Sequence, residues 1–169
     1  RIGIERPKVS ILSATEEVLE SVPSSIEAAE ITKLAKEENL NADVFGPLAF
    51  DNSISKKSAA IKGIKNLVAG EADVLLVPSV ETGNALVKML IYFNGACAAG
   101  VVVGGKVPVV ITSRSDEAQA RLASIAAAEI VIPPEVNEAE TASTSSSVVE
   151  PPVECVSEPY EIDKSSDTV

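Results

Sequence analysis

Asp73-Val-Leu-Leu-Val77, stopped by Pro78-Ser79, is an apolar run too short for a helix and without the alternation of a half-exposed strand. Such a run fits a strand covered on both faces, as in a parallel sheet. The next segment, about Glu81 to Asn94, is apolar nearly all round (Ala85, Leu86, Val87, Met89, Leu90, Ile91, Phe93), with Lys88 its only cation, and predicts a largely buried helix. Working back, Ser55 caps a helix carrying Ala59, Ala60, Ile61 and Ile64, and Asp43-Val-Phe-Gly46 is a strand stopped by Gly46-Pro47. Earlier still, Ser24 and Glu27 have the spacing of a capping box at the start of a helix with Ile26, Ala29, Leu34 and Ala35 on its apolar face, ending near Asn39. Val9-Ser-Ile-Leu12 is the first strand. Working forward, Ala99-Gly-Val-Val-Val103 and Val107-Pro-Val-Val-Ile111 read as two more strands, before a last helix that starts near Asp116 and shows Ala118, Leu122, Ile125 and Ala126 at helical spacing.

The resulting order, β-α-β-α-β-α-β-β-α, predicts an α/β fold with a layered, mainly parallel sheet over residues 1–132. Beyond that the composition changes. Residues 133–169 hold nine acidic residues and one lysine, whereas residues 1–132 hold sixteen acidic and thirteen basic residues. The run of Pro, Glu, Ser and Thr after Pro133 has too few large apolar groups to offset ordering entropy, so an acidic disordered tail is expected there.

Composition excludes several chemistries. With no histidine among 169 residues there is no imidazole relay, His triad or His-ligated metal. Two cysteines, Cys97 and Cys155, build neither a disulfide framework nor a four-thiolate zinc site, and point to a reducing, cytoplasmic setting. A net charge of -11 argues against a nucleic-acid partner. The weakly polar stretch from Ala96 to Thr112 is broken by Gly104-Gly105-Lys106 and Pro108, so no membrane span is expected. The chain begins at Arg1 without an initiator Met or a signal peptide, which suggests a fragment or processed piece.

In parallel sheets ligands sit beyond the carboxyl ends of the strands, so the loops there carry the candidate chemistry. Gly46-Pro-Leu-Ala-Phe-Asp-Asn52 offers Asp51 and Asn52, which serve equally well as local caps. Pro78 to Asn84 offers Gly83 and Asn84, which allow close backbone approach or simply a turn. Gly100 to Gly105 lacks the spacing of a dinucleotide fingerprint and fits close strand packing. Thr112-Ser-Arg-Ser-Asp116 joins a strand end to a helix start, bringing amides, hydroxyls and a guanidinium to one spot suited to a phosphate or oxyanion. There Asp116 is either a first-turn carboxylate or a base, and Arg114 either an anion ligand or a partner of Glu117. Phe45, Phe50, Tyr92 and Phe93 fit core positions better than an adenine platform.

In order, these loops resemble the phosphate acetyl/butyryl transferase family, most closely its phosphate butyryltransferase branch. The matching stretches are Gly3-Ile-Glu-Arg-Pro-Lys-Val9, Gly46 to Asn52, Lys62-Gly-Ile64, Val68 to Pro78, Gly83-Asn84 with Lys88, Ala99 to Gly104 and Pro108 to Asp116. The resemblance implies a carboxyl-terminal portion of an enzyme exchanging coenzyme A and phosphate on a short acyl group. Its fold would be similar to isocitrate and isopropylmalate dehydrogenases, with two α/β domains, a cleft site, no metal, coenzyme A as substrate rather than cofactor, and a homodimer in the full-length protein. It assigns catalysis to Ser113 and Arg114. The base of the acetyl branch falls on Ala120 here, which leaves Asp116 or Glu117; Asp116 matches the Ser-Arg-x-Asp pattern of the butyryl branch. Asp51, Asn52, Gly83 and Asn84 would bind substrate. Two rival readings are a noncatalytic coenzyme A-binding or assembly module whose acidic tail docks a partner, and a decarboxylating dehydrogenase relative. The second needs a metal-binding carboxylate cluster, which Asp51, Asp73 and Asp116 do not form by spacing.

Overall fold

A computed structural model describes residues 2–132, so the acidic tail lies outside the described residues. The elements are β1 (Lys8–Leu12), α1 (Pro23–Glu37), β2 (Asp43–Leu48), α2 (Phe50–Ile54), α3 (Lys56–Ile61), β3 (Val74–Leu76), α4 (Val80–Asn94) and α5 (Ala118–Val131). The three strands form one parallel sheet in the order β2-β1-β3, with Val9 opposite both Val44 and Val74. The α/β parallel expectation holds for these elements. Because β1 is central, the chain moves one way to β2 and the other way to β3, which creates a crevice beyond the strand ends.

Helix α1 packs on β1 and β2 through small residues: Ser25, Ala28, Thr32 and Ala35 are buried, whereas Leu34 is exposed. Small side chains at this spacing let the helix lie close to the sheet, and Thr32 Oγ1 donates to the carbonyls of Ala28 (2.8 Å) and Gly46 (3.2 Å). The capping box at Ser24 and Glu27 does not form. Pro23 occupies the first turn, where its missing N–H costs nothing, and the Ser24 hydroxyl pairs with Ser13 instead (2.9 Å). The helix ends as expected, with Asn39 in the left-handed region (φ 50°). Ser55 caps α3 through the Ser58 N–H (3.2 Å), also as expected.

The core lies between the sheet and α3: Leu48, Ala59, Val68 and Ala69 are buried together, with Phe45, Ile64 and Ala72 packed against them. Polar groups in this region are paired, including the buried Ser10 and Ser53 hydroxyls at 2.6 Å. Next to this core, Glu71 bridges Lys8 (2.6 Å) and Lys56. The hydrogen bond from Lys56, then that from Lys8, holds the Glu71 carboxyl at about 2, below its ordinary 4.5. A depressed carboxyl contributes stability that is present above the unfolded value and lost as pH falls from about 4.5 towards 2. Glu71→Gln is therefore expected to lower the urea midpoint at neutral pH, with the difference from the parent narrowing over that acid window. A constant difference down to its lower end would contradict the linkage.

Three expectations are corrected farther along the chain. β3 is an edge strand with Val74 and Leu76 exposed, because neither α4 nor α5 packs extensively on the sheet. For the same reason α4 has no buried residue, and Tyr92 (69%) and Phe93 (85%) are exposed rather than core. Phe50, at the start of the short α2, is exposed as well, which leaves Phe45 alone of the four aromatics against the core. The two strands after Ala99 reduce to an antiparallel bridge between Val102 and Val109, with N···O distances of 2.8 and 3.0 Å. Pro108 lacks an N–H and the pair has no third strand beside it, so the ladder stops there.

Candidate active site

The predicted site residues fall into three groups. The first comes after β2, where Gly46 to Leu48 turns into α2. Asn52 is fully buried and its carbonyl accepts from Gly70 N–H at 2.7 Å. With its carboxamide turned so that both ends find partners, the nitrogen donates to Asp51 Oδ2 (3.2 Å) and the oxygen accepts from Lys62 Nζ (3.1 Å). Lys62 also lies 3.4 Å from Glu16 and 3.8 Å from Asp51, so one ammonium gathers two carboxylates and an amide at the strand end. Asp51 is exposed there, in the first turn of α2. Sequence reasoning named Asp51 and Asn52 but missed Glu16 and Lys62. The only signal for Lys62 was its place in the Lys62-Gly-Ile64 stretch.

The second group lies in the first turns of α4. Ser79 caps this helix through Thr82 N–H (3.3 Å), so Gly83 and Asn84 are helical residues rather than an entry loop. A side chain at Gly83 would press on Val77 (3.1 Å), which explains a glycine there by helix-to-strand clearance. Asn84 and Gly83 line an open apolar depression with Val77, Val80, Glu81 and Val87. The positive end of α4 is already occupied: its own N–H, then the Ser79 hydroxyl, holds the Glu81 carboxyl below the usual range.

The third group is the turn Ser113 to Asp116. Asp116 N–H donates to Ser113 O (3.0 Å) and, in return, Ser113 N–H donates to Asp116 Oδ2 (2.7 Å). This carboxylate closes the turn before α5, which starts at Ala118, close to the expected start near Asp116, but Asp116 lies ahead of the helix rather than in its first turn. A side-chain-to-backbone bond here outcompetes helix extension. Ser113 and Ser115 hydroxyls pair at 3.0 Å. Arg114 is exposed and, among the described residues, has no ion pair; the alternative pairing with Glu117 does not form. Asp116 Oδ1 faces Lys88 Nζ of α4 at 3.7 Å. The sequence signal for Lys88 was its isolation as the one cation on an apolar helix. Between α4 and this turn lies a cavity of about 290 Å³, lined by Lys88, Tyr92, Cys97, Ser115, Asp116 and Glu117 among others. Ser113 and Arg114 stand beside it rather than in its lining.

Among the described residues no hydrogen bond or ion pair joins Asp51 and Asn52 to Ser113 and Arg114. No group of His, Cys, Asp and Glu among them could hold a metal ion, and no helix is long and apolar enough to cross a membrane. The arrangement offers an uncompensated guanidinium beside a hydroxyl, which is a setting for negative charge.

The sequence matches the family described as Phosphate acetyl/butaryl transferase over residues 1–129. The chain belongs to this family. It is 49% identical over 130 residues to the phosphate acetyltransferase of Rhizobium meliloti, covering 76% of this chain and 41% of that protein. It is 40% identical over 131 residues to the phosphate butyryltransferase of Clostridium acetobutylicum, covering 77% and 44% respectively. A branched-chain phosphotransacylase from Enterococcus faecalis V583 superimposes with a TM-score of 0.70 at 40% identity, covering 76% of this chain and 46% of that one. The phosphate acetyl/butaryl transferase match thus includes every residue of the three groups, and the chain spans less than half the length of these relatives.

Proposed function

We propose that this chain supplies part of the active site of a phosphate acyltransferase that interconverts acyl-CoA plus phosphate with acyl phosphate plus coenzyme A, acting on a short-chain acyl group. The observation that carries the reading is the Ser113–Asp116 turn, which presents a hydroxyl and an unpaired guanidinium together within a matched family stretch. In the direction of acyl-CoA synthesis a carboxylate takes the thiol proton and the thiolate attacks the acyl carbonyl carbon. The tetrahedral oxyanion then collapses, breaking the carbon–oxygen bond to phosphate, which leaves with the electron pair. Ser113 donates a hydrogen bond to the developing oxyanion and Arg114 offsets the phosphate charge. Of the two carboxylates beside the cavity, Asp116 is already engaged by Ser113 N–H and Lys88. Glu117 makes no cap bond, so we assign it the proton. Asp51, Asn52, Gly83 and Asn84 form the remaining walls of the substrate site, coenzyme A enters as a substrate, and no metal takes part.

We read residues 1–132 as one part of a two-domain fold of the isocitrate/isopropylmalate dehydrogenase type, functioning as a homodimer, with residues 133–169 as an acidic appendage. The exposed apolar groups of α4, α5 and the segment between them, among them Phe93, Ile111 and Leu122, support a need for the rest of such a protein to cover them. The test replaces the 130 matched residues of the Rhizobium meliloti enzyme with those of this chain. The graft is expected to release phosphate from butyryl or acetyl phosphate only when coenzyme A is present, and the 169-residue chain by itself to show little turnover. A folded graft with no coenzyme A-dependent release would contradict the assignment, and rapid turnover by the chain alone would contradict the shared site.

A further inference from the structure

We infer that Lys88 and Asp116 form a positioning clamp, in which α4 sets the presentation of Ser113 and Arg114; the inference rests on the acyltransfer reading for its catalytic consequence only. The geometry is independent of that reading. Asp116 uses Oδ2 to hold the Ser113 N–H at 2.7 Å, while its own N–H returns a bond to Ser113 O at 3.0 Å, so the two residues close a turn with Arg114 and Ser115 at its tip. Oδ1 faces the Lys88 ammonium at 3.7 Å, across from a different helix. Both side chains are mostly covered, with exposures of 33% for Lys88 and 21% for Asp116, so solvent screens the pair less than a surface pair.

The consequence depends on what else holds the turn. Its tip is exposed, the Ser113 and Ser115 hydroxyls bond only to one another, and α5 begins with no side-chain cap at Glu117. Among the described residues, Lys88 is thus the only charged group on another element that grips this turn. An ammonium on a regular helix is a firmer reference point than the loop itself, and a carboxylate spanning the two transmits that position to Ser113. Asp116 therefore acts through Ser113 rather than on the substrate, and an asparagine, which can still accept from Ser113 N–H, retains half of its function. A general base would retain none.

Two measurements decide this. In the 169-residue chain, exchange of the Ser113 amide proton is followed by NMR in the parent, Asp116→Ala, Asp116→Asn and Lys88→Ala. Loss of a hydrogen bond to a charged acceptor is expected to speed this exchange about tenfold or more in Asp116→Ala, with Asp116→Asn and Lys88→Ala, which each keep an acceptor for Ser113 but lose the ion pair, both between it and the parent. In the grafted enzyme, a misplaced reacting group is expected to lower kcat about 100-fold in Asp116→Ala, with Asp116→Asn recovering part of it, Lys88→Arg recovering most of the Lys88→Ala loss, and the KM for coenzyme A little moved. Ser113 exchange that is indifferent to Lys88→Ala overturns the clamp, as does an Asp116→Asn enzyme as slow as Asp116→Ala. A parent graft without turnover removes the acyltransfer reading, and the Ser113 amide then still decides the clamp.

Discussion

Replacing Arg114 by Ala in the grafted enzyme is expected to lower kcat about 10²–10³-fold, the range seen when a single donor to developing negative charge is removed. The reason is local. Arg114 is exposed at the tip of its turn and, among the described residues, carries a charge that no carboxylate offsets, so its charge is available to a ligand. Because the guanidinium offers a planar fork and an ammonium does not, Arg114→Lys should recover only part of the loss. The fold should be indifferent to either change, since a solvent-facing side chain without partners contributes little to stability. Circular dichroism and urea midpoints therefore serve as controls, and a fall in kcat of less than about threefold in Arg114→Ala would remove the residue from the mechanism.

Gly70→Ala should have the largest effect on stability. Gly70 has φ +80°, and a Cβ there would lie 2.5 Å from Lys56 N, 2.6 Å from Lys56 Cα and 2.9 Å from Ser55 C. These are backbone atoms at the capped start of α3, so nothing yields by a rotamer change. Left-handed strain and overpacking together should cost about 2–5 kcal/mol, measured as a shift in the urea midpoint. Gly63→Ala is the control: its φ is +69° but its Cβ would meet nothing within 4 Å, so only the strain of about 1–2 kcal/mol applies. The change at Gly70 also reaches the site, because Gly70 N–H holds the carbonyl of Asn52 at 2.7 Å. Equal losses at the two glycines would show that the close approach at α3 does not matter.

The parallel sheet was legible in Val9 to Leu12, Asp43 to Gly46 and Asp73 to Val77, because short apolar runs separated by helix-length segments admit few alternatives. The end of α1 and the Ser55 cap were legible for similarly local reasons. The Ser24 capping box was misread, because Pro23 and Ser24 both suit a helix start and only the Ser13 hydroxyl, a tertiary partner, decides between them. The face of α1 was legible only in part: Ala35 is buried as expected, but the rest of the side turned to the sheet is made of Ser25, Ala28 and Thr32, which apolar periodicity does not mark. Burial of α4 and full pairing of the runs Ala99 to Val103 and Val107 to Ile111 failed for a different reason: hydrophobicity does not record which surfaces a segment meets in the fold, and α4 packs little on the described sheet. Of those two runs only Val102 and Val109 pair. At the site, Ser113, Arg114 and Asp116 were legible as a cluster because they are nearly contiguous. Lys88, Glu16 and Lys62 were not, because Lys88 reaches Asp116 from a different helix and Glu16 meets Lys62 across 46 residues of chain.

The most direct test is a crystal structure of the grafted enzyme with acyl phosphate and a coenzyme A analogue lacking the thiol. The phosphoryl group is expected against the Arg114 guanidinium, and the acyl carbonyl oxygen within hydrogen-bonding distance of the Ser113 hydroxyl. An acyl phosphate bound elsewhere, with Ser113 and Arg114 both left in solvent, would contradict the assignment of catalysis to this turn.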